Sequence, residues 1–322
     1  MTTLPTTAST PSVSPGPREP ASLYDLVQFH APIPTWFGVG GKADRYAEPP
    51  DEATLRDVLL AFAGHHVRVL GDGANLLVDD DGVDGVVVSL KRLSDVRVLR
   101  DGGAPGDTVI VRAGAGMALA QLITWAVRES LAGLEVLGGI PASVGGAAVM
   151  NAGGSFGCMA DVVHQVHAVT SSGAALTIPA SEVCFDYRQS GLDHLIVTAV
   201  EFKLTRLDRR DQPALRQKLL DVMAYKKDTQ PLAEHSAGCV FRNPETPGAG
   251  RVSAGRLIDL AGCKGLTVGG ATVSDRHANF IVAGPGCTAR DILQLMEEVQ
   301  RRVYREHGVR LEAEVRVWRR RG

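Results

Sequence analysis

Seven of the twenty residues from Gly138 to Gly157 are glycine. Backbone of this kind can turn through positive φ and approach a ligand or another strand more closely than side-chain-bearing backbone can. The region containing it, Leu131 to Gly154, is the most apolar long stretch of the chain, but Glu135 and Pro141 interrupt it. Buried loops and a small-residue helix therefore suit it better than a membrane span. Three more Gly-rich loops precede it: Gly38-Val39-Gly40-Gly41, Gly71-Asp72-Gly73-Ala74-Asn75 and Gly114-Ala115-Gly116. Successive unobstructed N–H groups make anion-binding concavities, although any one such loop taken alone reads first as a tight turn. None is a P-loop, and Leu119 stands where the dinucleotide fingerprint starting at Gly114 needs Gly or Ala, which disfavours a Rossmann site.

The remaining sequence fits an α+β protein of several units. With 34 Lys+Arg against 36 Asp+Glu, the chain lacks the basic excess of a nucleic-acid binder. Met1 to about Pro20 is Thr/Ser/Pro-rich and reads as a disordered tail without secretory features. A first unit, 21–91, holds a helix capped by Asp51 with Leu55, Val58, Leu59 and Phe62 at helical spacing and Gly64 as its stop, and strands near Val67–Leu70 and Val86–Leu90. A second, 92–207, is strand-rich, with one helix carrying Leu119, Leu122, Ile123, Ala126 and Val127 inward. The charged run Asp208 to Asp211 suggests a boundary near residue 207, followed by a helix expected to bury Leu215, Leu219, Val222 and Met223. In the last unit, 208–322, Thr288 and Asp291 form a capping-box pattern ahead of Ile292, Leu295, Met296, Val299 and Val303, and Gly308 stops that helix. Val309 to Trp318 alternates as a strand.

Few residues carry chemistry on their own pattern. Glu312 and Glu314 share one side of the last strand; alternation favours solvated charges, while a cleft would raise the pKa of one carboxyl. Cys239, in Ser236-Ala237-Gly238-Cys239-Val240-Phe241-Arg242-Asn243-Pro244, reads either as a buried small hydrophobe or as a thiol that gives up a proton. Tyr187-Arg188 is edge decoration or a permanent guanidinium that clamps a carboxylate. The nine His show no metal-ligand spacing, and no GxSxG elbow occurs. Five cysteines without CxxC point to a reducing, cytoplasmic compartment.

In order along the chain, Thr35-Trp36-Phe37-Gly38-Val39-Gly40-Gly41, Gly71 to Leu77, Gly139-Ile140-Pro141-Ala142-Ser143-Val144-Gly145-Gly146-Ala147 with Met150-Asn151-Ala152-Gly153, Ser236 to Pro244, Ala254 to Ile258, Gly269 to Phe280 and Glu314-Val315-Arg316 resemble the UDP-N-acetylenolpyruvoylglucosamine reductase (UDP-N-acetylmuramate dehydrogenase) family. Without an inserted tyrosine-bearing segment between Arg188 and Lys227, the chain is similar to the shorter type of that family.

The resemblance implies a vanillyl-alcohol-oxidase-type FAD-binding fold of two subdomains plus a C-terminal α+β substrate-binding domain. It implies non-covalent FAD held by Gly71, Asp72, Gly73, Ala74, Asn75, Leu76, Ile140, Ser143, Val144, Gly145, Gly146, Asn151, Ala152 and Gly153, with Asp72 and Ala74 replacing residues common in the family. NADPH would be the hydride donor and an enolpyruvyl sugar nucleotide the small-molecule partner, with no nucleic acid, membrane or metal involved and a monomer expected. Arg188 and Glu314 would stabilise an enolate, and Cys239, where serine is common, would donate the proton while making the site oxidisable. Tyr187, Lys227 and Asn243 would bind substrate or the nicotinamide cofactor.

Overall fold

The structure, a computed structural model, describes residues 26–321 apart from 232, 247 and 249. The Thr/Ser/Pro-rich segment Met1 to Pro20 lies outside the described residues. A four-stranded sheet comes first, ordered Val27–Pro32, Lys42–Ala47, Val86–Ser89, Val67–Leu70. Its outer pair is antiparallel and the others parallel. The run Val86-Val87-Val88 is buried on both faces, with Val86 and Val88 in one core and Val87 in another, as an unbroken apolar strand requires. Helix α1 (Glu52–Ala61) starts where Asp51 accepts the Thr54 N–H and buries Leu55, Val58 and Leu59.

The second sheet is antiparallel, ordered Ala175–Pro179, Val163–Val169, Ile196–Arg206, Thr108–Gly114, Val96–Asp101, with the short strand Leu131–Ala132 added to Ile196–Arg206. Helix α2 (Leu119–Arg128) buries all five residues that its period marks as inward. The glycine-rich segment forms the short helix α3 (Val144–Val149), capped by Ser143. One continuous core joins these first two sheets, running from Leu55 and Val88 to Val111 and Phe202.

Helix α4 (Gln212–Thr229), placed beyond the boundary near residue 207, packs back on this core through Leu215 and Leu219. Its buried stripe is Leu215, Leu219, Val222 and Lys226, whereas Met223, expected inward, is 45% exposed. Between Arg188 and Lys227 the chain is taken up by strand Ile196–Arg206, a short 3-10 turn and α4, which leaves no inserted loop.

The last core surrounds α5 (Ala254–Leu260), α6 (Ala289–His307) and the small sheet Thr267–Val268, Ala271–Val273, Ile281–Ala283. The capping box at Thr288 and Asp291 forms, and Gly308 ends α6 at φ 68°. The terminal alternating segment becomes a strand only over Arg316–Trp318, parallel to Leu76–Val78 in the first unit. Upstream, only a single bridge from Ala313 to Phe241 interrupts irregular backbone.

Asp80 from the first unit reaches the start of α6, accepting the Ala289 N–H at 2.9 Å and the Arg290 N–H at 3.0 Å. It thus satisfies two helix-end donors and places a negative charge at the positive end of the helix dipole. Asp80→Ala is expected to cost about 1 kcal/mol, lowering the thermal midpoint by about 2 °C. An unchanged midpoint would show that Thr288 alone suffices.

Candidate active site

The two glycine-rich segments expected to hold a cofactor meet. A β-carbon on Gly71 would fall 2.5 Å from Ser143 Oγ, and Gly73 holds φ 67° with its α-carbon against the Pro34 carbonyl. The backbone N–H groups of Asp72, Gly73, Ala74 and Asn75 donate to no acceptor among the described residues. Such a row of free donors suits a diphosphate, so the loop fits the nucleotide part of FAD. Asp72 turns its carboxylate toward Trp36, accepting from Nε1 at 3.2 Å, and burial pushes its pKa up. The other two glycine-rich loops serve packing: Gly41 donates to the Asp79 carbonyl, and Gly116 sits against Leu90.

On α3, Ser143 Oγ accepts the Gly146 N–H, and Gly145 donates to the Ala115 carbonyl, which ties the segment to the Gly114–Gly116 turn. Val144 is buried beneath, while Ile140 lies half-buried at the edge of the same core. Asn151, at φ 40°, spends both ends of its amide on structure: Nδ2 donates to the Asp186 carbonyl and Oδ1 accepts the Ala160 N–H. Ala152 is buried, and the Gly153 carbonyl accepts from Arg188 Nη1 at 2.9 Å. Asn151 and Gly153 therefore buttress the turn that carries Arg188.

That turn is closed by paired bonds between Asp186 and Gln189, with Arg188 at φ 58°. Glycine suits such a position better, and a left-handed arginine held by its surroundings is the kind of strain found at functional sites. Arg188 Nε lies 2.6 Å from Glu314 Oε1, an ion pair whose N–H direction misses hydrogen-bond alignment. The side chain of Glu314 is 11% exposed, so the solvated alternative that alternation favoured does not hold. Burial pushes its carboxyl above the usual range, against the opposing pull of Arg188 and Arg242. Glu312, by contrast, is exposed. Asn75 Nδ2 donates to the Glu314 carbonyl at 3.1 Å, linking the Gly71–Asn75 loop to the carboxyl-bearing segment.

Cys239 joins the same group. Glu314 donates its N–H to the Val240 carbonyl at 2.7 Å, and Asn279 clamps Phe241 by accepting its N–H at 3.0 Å and donating to its carbonyl at 2.8 Å. Cys239 as a whole residue is partly exposed. Burial of the thiol first, and the nearby Glu314 carboxyl second, push it up to about 12. Since the reactive form is the thiolate, this shift runs against the expectation of an oxidisable site. Tyr187 accepts the Asn243 N–H through its hydroxyl at 3.3 Å, and Arg251 stacks over its ring at 4.0 Å. Asn243 Oδ1 caps the start of α5 by accepting the Ala254 N–H.

Lys227, expected at the substrate, is exposed on α4; the lysine turned inward is Lys226, buried beside Arg188. A helical stripe could have found it, since Leu215, Leu219, Val222 and Lys226 fall at spacings of four, three and four. Asn279 was also missed, and nothing in its own residue type separates a clamp from a surface amide. A cavity of about 480 Å³ on the outer face of the second sheet, lined by Arg100, His164 and Lys203 among others, contains none of these residues.

The family described as "FAD binding domain" matches residues 43–178, and that described as "UDP-N-acetylenolpyruvoylglucosamine reductase, C-terminal domain" matches residues 230–318. A curated UDP-N-acetylenolpyruvoylglucosamine reductase from Heliobacterium modesticaldum is 42% identical over 287 residues, covering 88% of this chain and 87% of its own length. The chain belongs to this reductase family. Another reductase of the family, from Moorella thermoacetica, is 40% identical over 88% of this chain and 89% of its own. The crystal structure of the Thermus caldophilus reductase superposes with a TM-score of 0.73 at 38% identity, covering 88% of this chain and 96% of that one. The loops around Gly71–Asn75 and Ile140–Gly153 fall within residues 43–178, and Cys239 and Glu314 within residues 230–318, while Arg188 lies between the two matched segments.

Proposed function

We propose that this chain reduces UDP-N-acetylglucosamine enolpyruvate to UDP-N-acetylmuramate with NADPH, using non-covalent FAD, in the synthesis of peptidoglycan precursors. The observation that carries this reading is the meeting of Arg188, Cys239 and Glu314, from three distant segments, beside a loop of free backbone donors. Bound FAD supplies the carriage of hydride from NADPH to the substrate. The protein must make C3 of an electron-rich enol ether accept that hydride.

Arg188 offers a permanent positive charge where negative charge grows on the conjugated carboxylate, and fixed charge in a water-poor site is effective there. Glu314, its pKa raised by burial, can share a proton with the same oxygens. Cys239 holds its proton throughout the ordinary pH range and releases it to C2, where the enolate is basic enough to take it. Atoms balance: hydride adds to C3, the thiol proton adds to C2, and solvent restores the thiol. Tyr187 and Asn243, bonded to each other on the segments that carry Arg188 and Cys239, would bind the substrate. We place the enzyme in the cytoplasm, in keeping with five free cysteines, and no described helix is long and apolar enough to cross a membrane.

Purified protein should carry yellow flavin and consume NADPH in steady state only when the enolpyruvyl sugar nucleotide is present. Sustained oxygen-dependent oxidation of a sugar or alcohol instead would favour an oxidase of the same fold and overturn the reading.

A further inference from the structure

The basic residues on the strands of the second sheet divide into two groups. Arg97 and Arg112 share Asp95, His167 meets Glu201 at 2.7 Å, and Arg206 is paired with Asp101. Arg100, His164 and Lys203 make no ion pair and no side-chain hydrogen bond among the described residues, and these are the basic residues that line the cavity of about 480 Å³ on the outer face. Their convergence follows from strand register. Arg100 and Lys203 stand directly opposite Ile110 on its two neighbouring strands, so the three side chains share one face. His164 enters from the next strand, where the ladder slips between Val163 and Gln165. Ile110 is 3% exposed yet belongs to none of the three apolar cores. The stems of Arg100 and Lys203 are left to cover it, which holds their charged heads at the rim of one concavity. Asp107, also at the rim, spends its carboxylate on the preceding turn by accepting the Ala104 N–H at 3.0 Å.

Cations gathered without a counter-charge repel one another, and an anion held between them relieves that repulsion. A nucleic-acid strand fits poorly, because the unpaired cations are confined to one concavity and the chain carries no basic excess. A guanidinium and an ammonium facing each other across an apolar floor suit a compact anion with several oxygens. We propose that this cavity binds the diphosphate group of a small molecule, with Arg100 and Lys203 as its charged ligands and Thr108 and His164 as further hydrogen-bonding groups. The site shares no residue with the Arg188, Cys239 and Glu314 cluster and rests on no part of the function proposed above. Such a group could arrive as inorganic pyrophosphate or as part of a nucleotide.

The test titrates the full-length protein with pyrophosphate and with ADP by calorimetry, in low salt and without divalent cations. FAD and UDP-N-acetylmuramate are present in excess, so that anions are not drawn to the reacting cluster. One saturable site is expected. Arg100→Gln and Lys203→Gln should each weaken it about 10-fold, and the double variant about 100-fold. Arg97→Gln removes a paired cation from the same sheet outside the cavity and should leave binding unchanged. Tighter binding of ADP assigns the site to a nucleotide, and tighter or equal binding of pyrophosphate assigns it to the inorganic anion. The anion should also raise the thermal midpoint of wild type and not of the double variant, a readout independent of the heat of binding. Absence of saturable binding for both anions, undiminished binding in the double variant, or equal weakening by Arg97→Gln would overturn the proposal.

Discussion

Cys239→Ala is expected to slow reduction of the enolpyruvyl sugar nucleotide by about 10²- to 10⁴-fold, the usual range for a lost proton donor, while NADPH still bleaches the flavin at close to the normal rate. The two half-reactions separate in stopped flow, because only the second needs a proton at C2. Cys239→Ser should recover part of the rate, since a hydroxyl can occupy the same place with a less acidic proton. Equal loss in both half-reactions would remove Cys239 from the chemistry and assign it to packing. Alkylation gives an independent reading of the same environment. With the thiol pushed from 9.0 up to about 12, the thiolate at pH 8 is about one part in ten thousand, so iodoacetamide should leave Cys239 untouched unless the fold opens. The folded state holds this proton more tightly than the unfolded chain does, so the associated stability is intact below pH 9 and fades as pH climbs toward about 12.

Arg188→Ala is expected to lower substrate reduction by about 10²- to 10³-fold and stability by about 3 kcal/mol. The two losses have different origins. Activity falls because the guanidinium no longer meets the growing negative charge; stability falls because Glu314, 11% exposed, loses its close partner and keeps only the more distant influence of Arg242. Adding Glu314→Gln should therefore restore most of the stability without restoring turnover. Arg188→Gly should be more stable than Arg188→Ala, because φ 58° suits glycine and strains alanine by about 1 kcal/mol. Urea midpoints and single-turnover rates measure the two effects separately. A double variant no more stable than Arg188→Ala would show that the ion pair is not what burial of Glu314 depends on.

What the sequence disclosed follows from which signals are local. Helices α2 and α6 bury the residues that their period marks, and α1 does so except for Phe62, its half-buried C-cap, because amphipathic spacing and caps are read within one turn of the chain. Glycine-rich loops were visible as loops, but not which would offer free donors: the Gly71–Asn75 loop does, while Gly41 and Gly116 are packed against backbone from elsewhere. Alternation along Val309 to Trp318 showed that Glu312 and Glu314 share a side, yet one is exposed and the other buried. The difference lies in what covers them, the turn at Arg188, more than a hundred positions away in the chain. Lys226 illustrates the reverse case, in which the helical phase was available and the charge alone argued for the outside.

The pairing of Arg316–Trp318 with Leu76–Val78, together with the Asn75 contact to Glu314, sets a limit on how the molecule is made. The strand that braces the Gly71–Asn75 loop comes from about 240 positions further along the chain, so the loop reaches its final geometry only after that later segment has been made and has docked, and deleting Arg316–Trp318 would leave it with no edge to rest on.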